Sequence, residues 1–155
     1  MQKTKLAKLL APTVPLKLEV DADKNGVLEL KLAWTMRAVI LIEAKLRELG
    51  LAVNVIQNPA SFWTDLNATT LAVAVWALSH QEHADLRDEE GFDYVISYLV
   101  PENWLLAADG IKNAFWESLS QKRRDEIEAG IRAAAEAVKA GAEAPANPTP
   151  APAQQ

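Results

Sequence analysis

Two short clusters in this chain hold residue types that can bind a cation. His80 and His83 stand three apart, with Glu82 and Asp85 beside them. Side chains three apart share a helix face, so two imidazoles could meet a metal there. No third ligand pattern recurs elsewhere, and a helix C-terminus favours histidine through its dipole alone. The second cluster is Asp21, Asp23, Asn25 and Gly26, which reads D-x-D-x-N-G like the first half of a calcium-binding EF-hand loop. Its twelfth position would be Leu32, where calcium needs a bidentate Glu, and its flanks alternate like strands. Turns favour Asp, Asn and Gly for their own reasons. Neither cluster is assigned a metal, and no cofactor is expected. A metal- or calcium-dependent binding module stands as an alternative.

Nucleophilic and phosphate-binding chemistry finds no foothold in the sequence. It has no G-x-S-x-G, no Walker loop and no G-x-G-x-x-G. Glu43 is a lone carboxylate on a rather apolar helix, which reads as edge-exposed or paired. Glu82, Asp85, Asp88, Glu89, Glu90 and Asp93 face one Arg87, and this crowding suits the start of a helix. Lys122, Arg123 and Arg124 are followed by Asp125, Glu126 and Glu128, as on a charged helix face. No catalytic residue is assigned, and the chain is expected not to be an enzyme.

Tryptophan is the unusual residue here, at positions 34, 63, 76, 104 and 116. Trp and Phe carry large apolar area and dominate interface hot spots. Phe62-Trp63 and Phe115-Trp116 are sequence neighbours, about 100° apart around a helix, so both members of a pair cannot point inward. Some aromatic surface is therefore expected outside. Phe62, Trp63, Trp76, Trp104, Phe115 and Trp116 are the candidate partner contacts, with a crowded core as the alternative for any of them.

Composition narrows the class further. The 155 residues include no cysteine, which excludes disulfides and thiolate metal sites. Half are hydrophobic and about a quarter charged, enough for a real core. A net charge of −5 argues against non-specific nucleic-acid binding, which needs a basic face. Met1 to Leu10 carries lysines with no apolar stretch after them, so no signal peptide is read. No apolar run is long enough to span a bilayer, and a soluble protein is expected.

The elements that must position these residues can be read in order. Residues 1–13 form a basic arm, Met1–Ala11 ending at Pro12 and Pro15, that orders against an acidic partner or frays. Leu16, Leu18 and Val20 alternate with charges, and so do Leu28, Leu30 and Leu32; the Asp21–Gly26 turn joins them as a β-hairpin. Thr35 caps a helix from Met36 to Leu49, stopped by Gly50. Val39, Ile42, Leu46 and Leu49 form its stripe, widened by Met36, Ile40 and Leu41. After an irregular connection, Asn58-Pro59 opens a short helix carrying Phe62, Trp63 and Leu66.

The stretch from Asn67 to His83 is uncharged as far as Glu82 and apolar nearly all round, so it is expected to be the central helix. Asp88 caps a helix to about Val100, with Phe92, Val95, Ile96 and Leu99 inward and Tyr94 and Tyr98 on a flank. Pro101 begins another to Leu119, with Trp104, Leu105, Ala108, Ile111 and Phe115 at helical spacing and Gly110 weakening it. Ser120 caps a last helix to Lys139 whose apolar side, Ile127, Ile131, Ala134 and Val138, is thin. Residues 141–155, GAEAPANPTPAPAQQ, read as a disordered or polyproline-like tail. The expected fold is mainly α: a small helical bundle over residues 14–140 with an N-terminal β-hairpin.

This order of residues resembles a known family. A hairpin ends in LELKLAW; a helix with a central acid stops at Gly in AVILIEAKLRELG; then follow TTLAVAVWALSHQE, the acidic ADLRDEEGFDYVISYL and the amphipathic AADGIKNAFWESL. Over about Leu28 to Leu119 the pattern resembles the tail assembly chaperones of long-tailed bacteriophages and the related gene-transfer-agent tail chaperones. The resemblance implies a non-enzymatic protein that binds the tape measure protein, keeps its apolar helices soluble and promotes tail tube assembly. It implies a place in the host cytoplasm and absence from the mature virion. The major tail tube protein and self-association follow as further partners; nucleic acid and membrane do not. Many family members are also made in a longer, frameshifted form, to which a tail such as Gly141–Gln155 could be a tether. The family supplies no residue-level binding motif, so the site candidates stay the aromatic ones. A structural virion component, such as a connector or minor tail protein, is the other alternative.

Overall fold

The computed structural model describes residues 10–20, 26–57, 62 and 66–143. Strand β1, Val14–Val20, pairs antiparallel with β2, Gly26–Leu32, in a register that sets Leu16 opposite Leu30 and Leu18 opposite Leu28. The period-two pattern does this: all four leucines and Leu32 are buried, while Lys17, Glu19, Glu29 and Lys31 are exposed. The turn that reads like a half EF-hand loop lies outside the described residues, except Gly26.

Helix α1, Met36–Glu48, begins where Thr35 Oγ1 accepts the Ala38 N–H at 3.0 Å. It ends as its sequence demands. Gly50 takes φ +84°, its N–H donates to Arg47 O at 3.0 Å, and Leu51 N–H donates to Leu46 O at 2.8 Å. These two bonds define a Schellman cap. Val39, Ile42 and Leu46 are buried, but Leu49, Met36 and Ile40 are exposed, so the stripe is narrower than expected. Glu43 is paired: its carboxylate accepts the Val55 N–H at 2.9 Å. The 51–57 connection forms no strand, and Val55 anchors it in the core.

Helix α2, Ala68–Leu78, is the centre, and Asn67 Oδ1 caps it by accepting from Thr70 N at 3.0 Å. Thr70 through Leu78 are all buried, and the helix touches β2 and each of the other α-helices described below within the unit that ends at Leu119. It ends five residues earlier than His83. The chain then runs through a 3₁₀ turn, Ala84–Leu86, into α3, Glu89–Ser97, capped by Asp88 Oδ1 on Gly91 N at 2.8 Å. Phe92 and Val95 face inward as expected; Ile96 is exposed and Leu99 half-buried. Tyr94 and Tyr98 do share a flank, hydroxyl to hydroxyl at 3.3 Å.

A second 3₁₀ turn, Pro101–Asn103, leads into α4, Trp104–Ser118. Here the expected period is right and the phase is wrong. The buried face is Ala107, Gly110, Ile111 and Ala114, while Trp104 and Leu105 lie outside. The reason is contact distance. A Cβ on Gly110 would sit 3.3 Å from the Cδ1 atoms of both Leu16 and Leu32, so the hairpin closes onto the small-residue face of α4. Gly110 is thus a packing site rather than a weak point. The hairpin is also tied at both edges. Asn103 Nδ2 donates to Glu19 O at 2.9 Å; Lys31 N–H donates to His83 Nε2 at 3.0 Å and Ala33 N–H to Leu78 O at 2.9 Å.

Contacts divide the chain into a unit ending at Leu119 and a second from Ser120. The second contains α5, Gln121–Glu143, longer by four residues than expected and reaching past Gly141. Its first turn is capped by Ser120 Oγ, which accepts from Arg123 N at 3.3 Å. Ile131 and Val138 on its thin apolar side are exposed. No helix among the described residues is long and apolar enough to cross a membrane.

Candidate functional site

The aromatic candidates part into two groups. Phe62 and Trp76 are 1 % and 6 % exposed, which corrects the expectation that they meet a partner: they are core side chains. Trp76 is fixed there by its indole N–H, which donates to Leu86 O at 2.6 Å, and by edge contacts with Phe92 and His80. Trp34 packs edge-on against Phe62 at 6.2 Å and Phe115 at 5.1 Å. Phe115 and Trp116 are half-buried, so neighbours on α4 do share inward and outward placement. Trp63 lies outside the described residues.

Trp104 is different. It is 43 % exposed at the start of α4, and its Nε1–H donates to Leu99 O at 2.8 Å. That bond fixes the ring while leaving apolar surface open. Leu105 beside it is 80 % exposed and Leu106 is exposed as well. Trp104, Leu105 and Ala108 line a shallow groove of about 160 Å³ whose other wall is Leu66, Ala68 and Leu71. The groove therefore lies between the N-terminal ends of α2 and α4. Tyr94 and Ile96 on α3 add further exposed apolar surface.

Charged groups gather elsewhere. Lys45 on α1 is buried, with Nζ 2.6 Å from Glu89 Oε1, 3.5 Å from Glu48 Oε1 and 4.7 Å from the centre of the Phe92 ring. The hydrogen bond to Glu89 holds its pKa above the usual lysine value against the opposing cost of burial. This is a tie between α1 and α3 rather than a reactive amine.

The two histidines do not converge. His83 Nε2 accepts the Lys31 N–H, while His80 is buried. No group of three or more metal-ligating side chains occurs among the described residues. His80 instead lines a cavity of about 270 Å³ with Thr35, Arg37, Ala38, Leu41 and Arg87 among its walls. Arg87 donates from Nε at 2.9 Å and Nη2 at 2.6 Å to the His80 carbonyl, closing the C-terminal end of α2. Gln81 beside it exchanges two hydrogen bonds with the Ala11 backbone, at 3.3 and 3.1 Å, and so brings Leu10 to the rim. His80 is only 9 % exposed, and its Nε2 is buried with no hydrogen-bond partner among the described residues. Burial first, then the charges of Arg87 and Arg37, push its pKa down to about 4.

Sequence reasoning missed this second constellation. Thr35, Arg37, His80 and Arg87 are spread over two helices and a turn, with no local pattern to join them. The one usable signal was Trp76 four residues before His80, which marks the imidazole as belonging to a buried face. No protein-family model, curated protein or solved structure matches the chain.

Proposed function

We propose that the chain is a non-enzymatic tail assembly chaperone that binds an apolar helix of the tape measure protein and keeps it soluble while tail tube subunits assemble. The observation that carries this reading is the groove at Trp104 and Leu105. A tryptophan held by its own indole N–H, beside two exposed leucines, is an ordered apolar surface that pays little entropy on docking. A client helix would lay its apolar face along Trp104, Leu105 and Leu66, as amphipathic helices do in apolar grooves. The net charge of −5 would keep the resulting complex soluble. Support for the identity of the client comes from the residue order over Leu28–Leu119, and support for the docking surface from the exposed side chains. Phe115 and Trp116 stay candidates at the margin of the contact; Phe62 and Trp76 act only through the fold.

Co-expression with a tape measure protein tests the proposal. The client should remain in the soluble fraction with the wild-type chain and precipitate with a Trp104→Ala/Leu105→Ser double variant that folds normally. A client equally soluble without the chain would overturn the role. Abundance of the chain in purified particles would favour the structural virion component instead.

A further inference from the structure

The groove at Trp104 is bordered by charge on one side only. Its α2 wall, with Leu66, Asn67 and Ala68, is uncharged. On the α4 side Glu102 stands three residues before Leu105, and Asp109 four residues after it. Residues at those spacings are neighbours on one helical surface, and all three are exposed, so a carboxylate flanks the leucine at each end. Neither carboxylate makes a side-chain hydrogen bond or ion pair among the described residues. We propose that the groove takes an amphipathic helix whose apolar stripe is bordered on one side by lysine or arginine, and turns away a helix bordered there by acids. This rests on the groove being the docking surface and adds the chemistry of its occupant.

The surroundings of the groove carry the same sign. From Asp88 to Ser118 the chain holds seven carboxylates and one base, Lys112. Asp88 and Glu89 are engaged within the fold, as the cap of α3 and the partner of Lys45. Glu90 and Asp93 on α3 are exposed and unpaired among the described residues, on the helix that also exposes Tyr94 and Ile96. Lys112 lies three residues beyond Asp109 and forms no ion pair with it.

Apolar contact alone does not choose between helices, because acidic and basic helices can present the same leucines. Charge makes the choice. A carboxylate laid against Glu102 or Asp109 sets like charges together, whereas a cation meets its opposite. Glu102 and Asp109 are seven residues apart, about two helical turns or roughly 10 Å of rise. Cations seven residues apart on the docking helix match that spacing. Both pairs would lie at a wet rim, so each adds little affinity, and the selectivity comes from attraction and repulsion together.

Binding of labelled synthetic peptides to the full chain, followed by fluorescence anisotropy, tests the proposal. Each peptide has about 18 residues, long enough to form a helix, with a leucine stripe bordered on one side by lysines or, in its counterpart, by glutamates. The lysine peptide should bind saturably and at least about tenfold tighter than the glutamate peptide, with the gap closing in about 1 M sodium chloride. Glu102→Gln/Asp109→Asn, two exposed near-isosteric changes, should weaken the lysine peptide about fivefold, while Glu29→Gln/Asp85→Asn, on the hairpin and the 3₁₀ turn, should leave it unchanged. Equal binding of the two peptides, lost in Trp104→Ala/Leu105→Ser, would overturn the charge preference and leave the groove standing. Binding of neither peptide would overturn the groove and the preference together. A scrambled lysine peptide that binds equally well would reduce the effect to bulk attraction and overturn the proposal. So would a dimer, seen by sedimentation, that Trp104→Ala/Leu105→Ser dissociates, since a second copy would then be the occupant.

Discussion

Gly91 packs directly on the main chain of Leu86, so closely that a Cβ at position 91 would overlap the Leu86 carbonyl. The same carbonyl accepts the Trp76 indole N–H at 2.6 Å, and Asp88 holds the Gly91 N–H at 2.8 Å. One peptide group therefore joins the central helix to the turn that launches α3. Backbone cannot yield as a side-chain tip can. Gly91→Ala is expected to cost about 3 kcal/mol, at the upper end of overpacking penalties, measured by urea unfolding. Gly110→Ala meets only the methyl ends of Leu16 and Leu32 and also gains helix propensity, so its cost should stay within about 1 kcal/mol. Equal losses at the two glycines would contradict this distinction.

Trp76 and Trp104 should separate stability from binding. Trp76→Ala removes a buried ring and leaves the Leu86 carbonyl without its donor, a loss of about 3–5 kcal/mol. Trp104→Ala removes a half-open ring and should cost about 1 kcal/mol or less, while abolishing client solubilisation. Thermal melts of both variants, set beside the co-expression assay, check the contrast.

Stability should fall in mild acid because of His80. Its folded pKa of about 4 lies below the unfolded value near 6.5, so protons favour the unfolded chain. The contribution is complete above pH 6.5 and is lost as pH falls towards 4, by at most about 3 kcal/mol. His80→Gln should flatten that part of the pH–stability curve, read from urea midpoints between pH 7 and pH 4. A curve of unchanged shape would mean that His80 titrates normally in the folded protein.

Lys45 sets the opposite limb. Its folded pKa is raised, so the stability it contributes is present below the unfolded value near 10.5 and is lost as pH rises through the folded one. Lys45→Ala removes a buried aliphatic stem as well as the ammonium that sits over the Phe92 ring, and should cost about 2–3 kcal/mol. Glu89→Gln should cost less than about 1 kcal/mol, because the Glu89 carboxylate is largely exposed and screened by water. Chemical denaturation at neutral pH and at pH 11 compares the two.

What the sequence determined by itself is local. Alternation fixed the inward leucines of the hairpin, and Thr35 and Asp88 announced two helix starts because each carries its own hydrogen-bond acceptor into the first turn. Gly50 announced a stop because the cap requires positive φ. The absence of charge from Asn67 to Gln81 announced a buried centre. Tertiary structure decided what depends on distance between segments. The face α4 turns inward was settled by how closely the hairpin could approach Gly110, and that contact pushed Trp104 and Leu105 out to form the groove. Lys45 became a buried tie only because α3 delivered Glu89 and Phe92 to it, and His80 came to lie between two cations only because Arg37 and Arg87 arrived from separate segments. Periodicity specifies which residues share a face; the nearest approach of neighbouring elements selects the face that is covered.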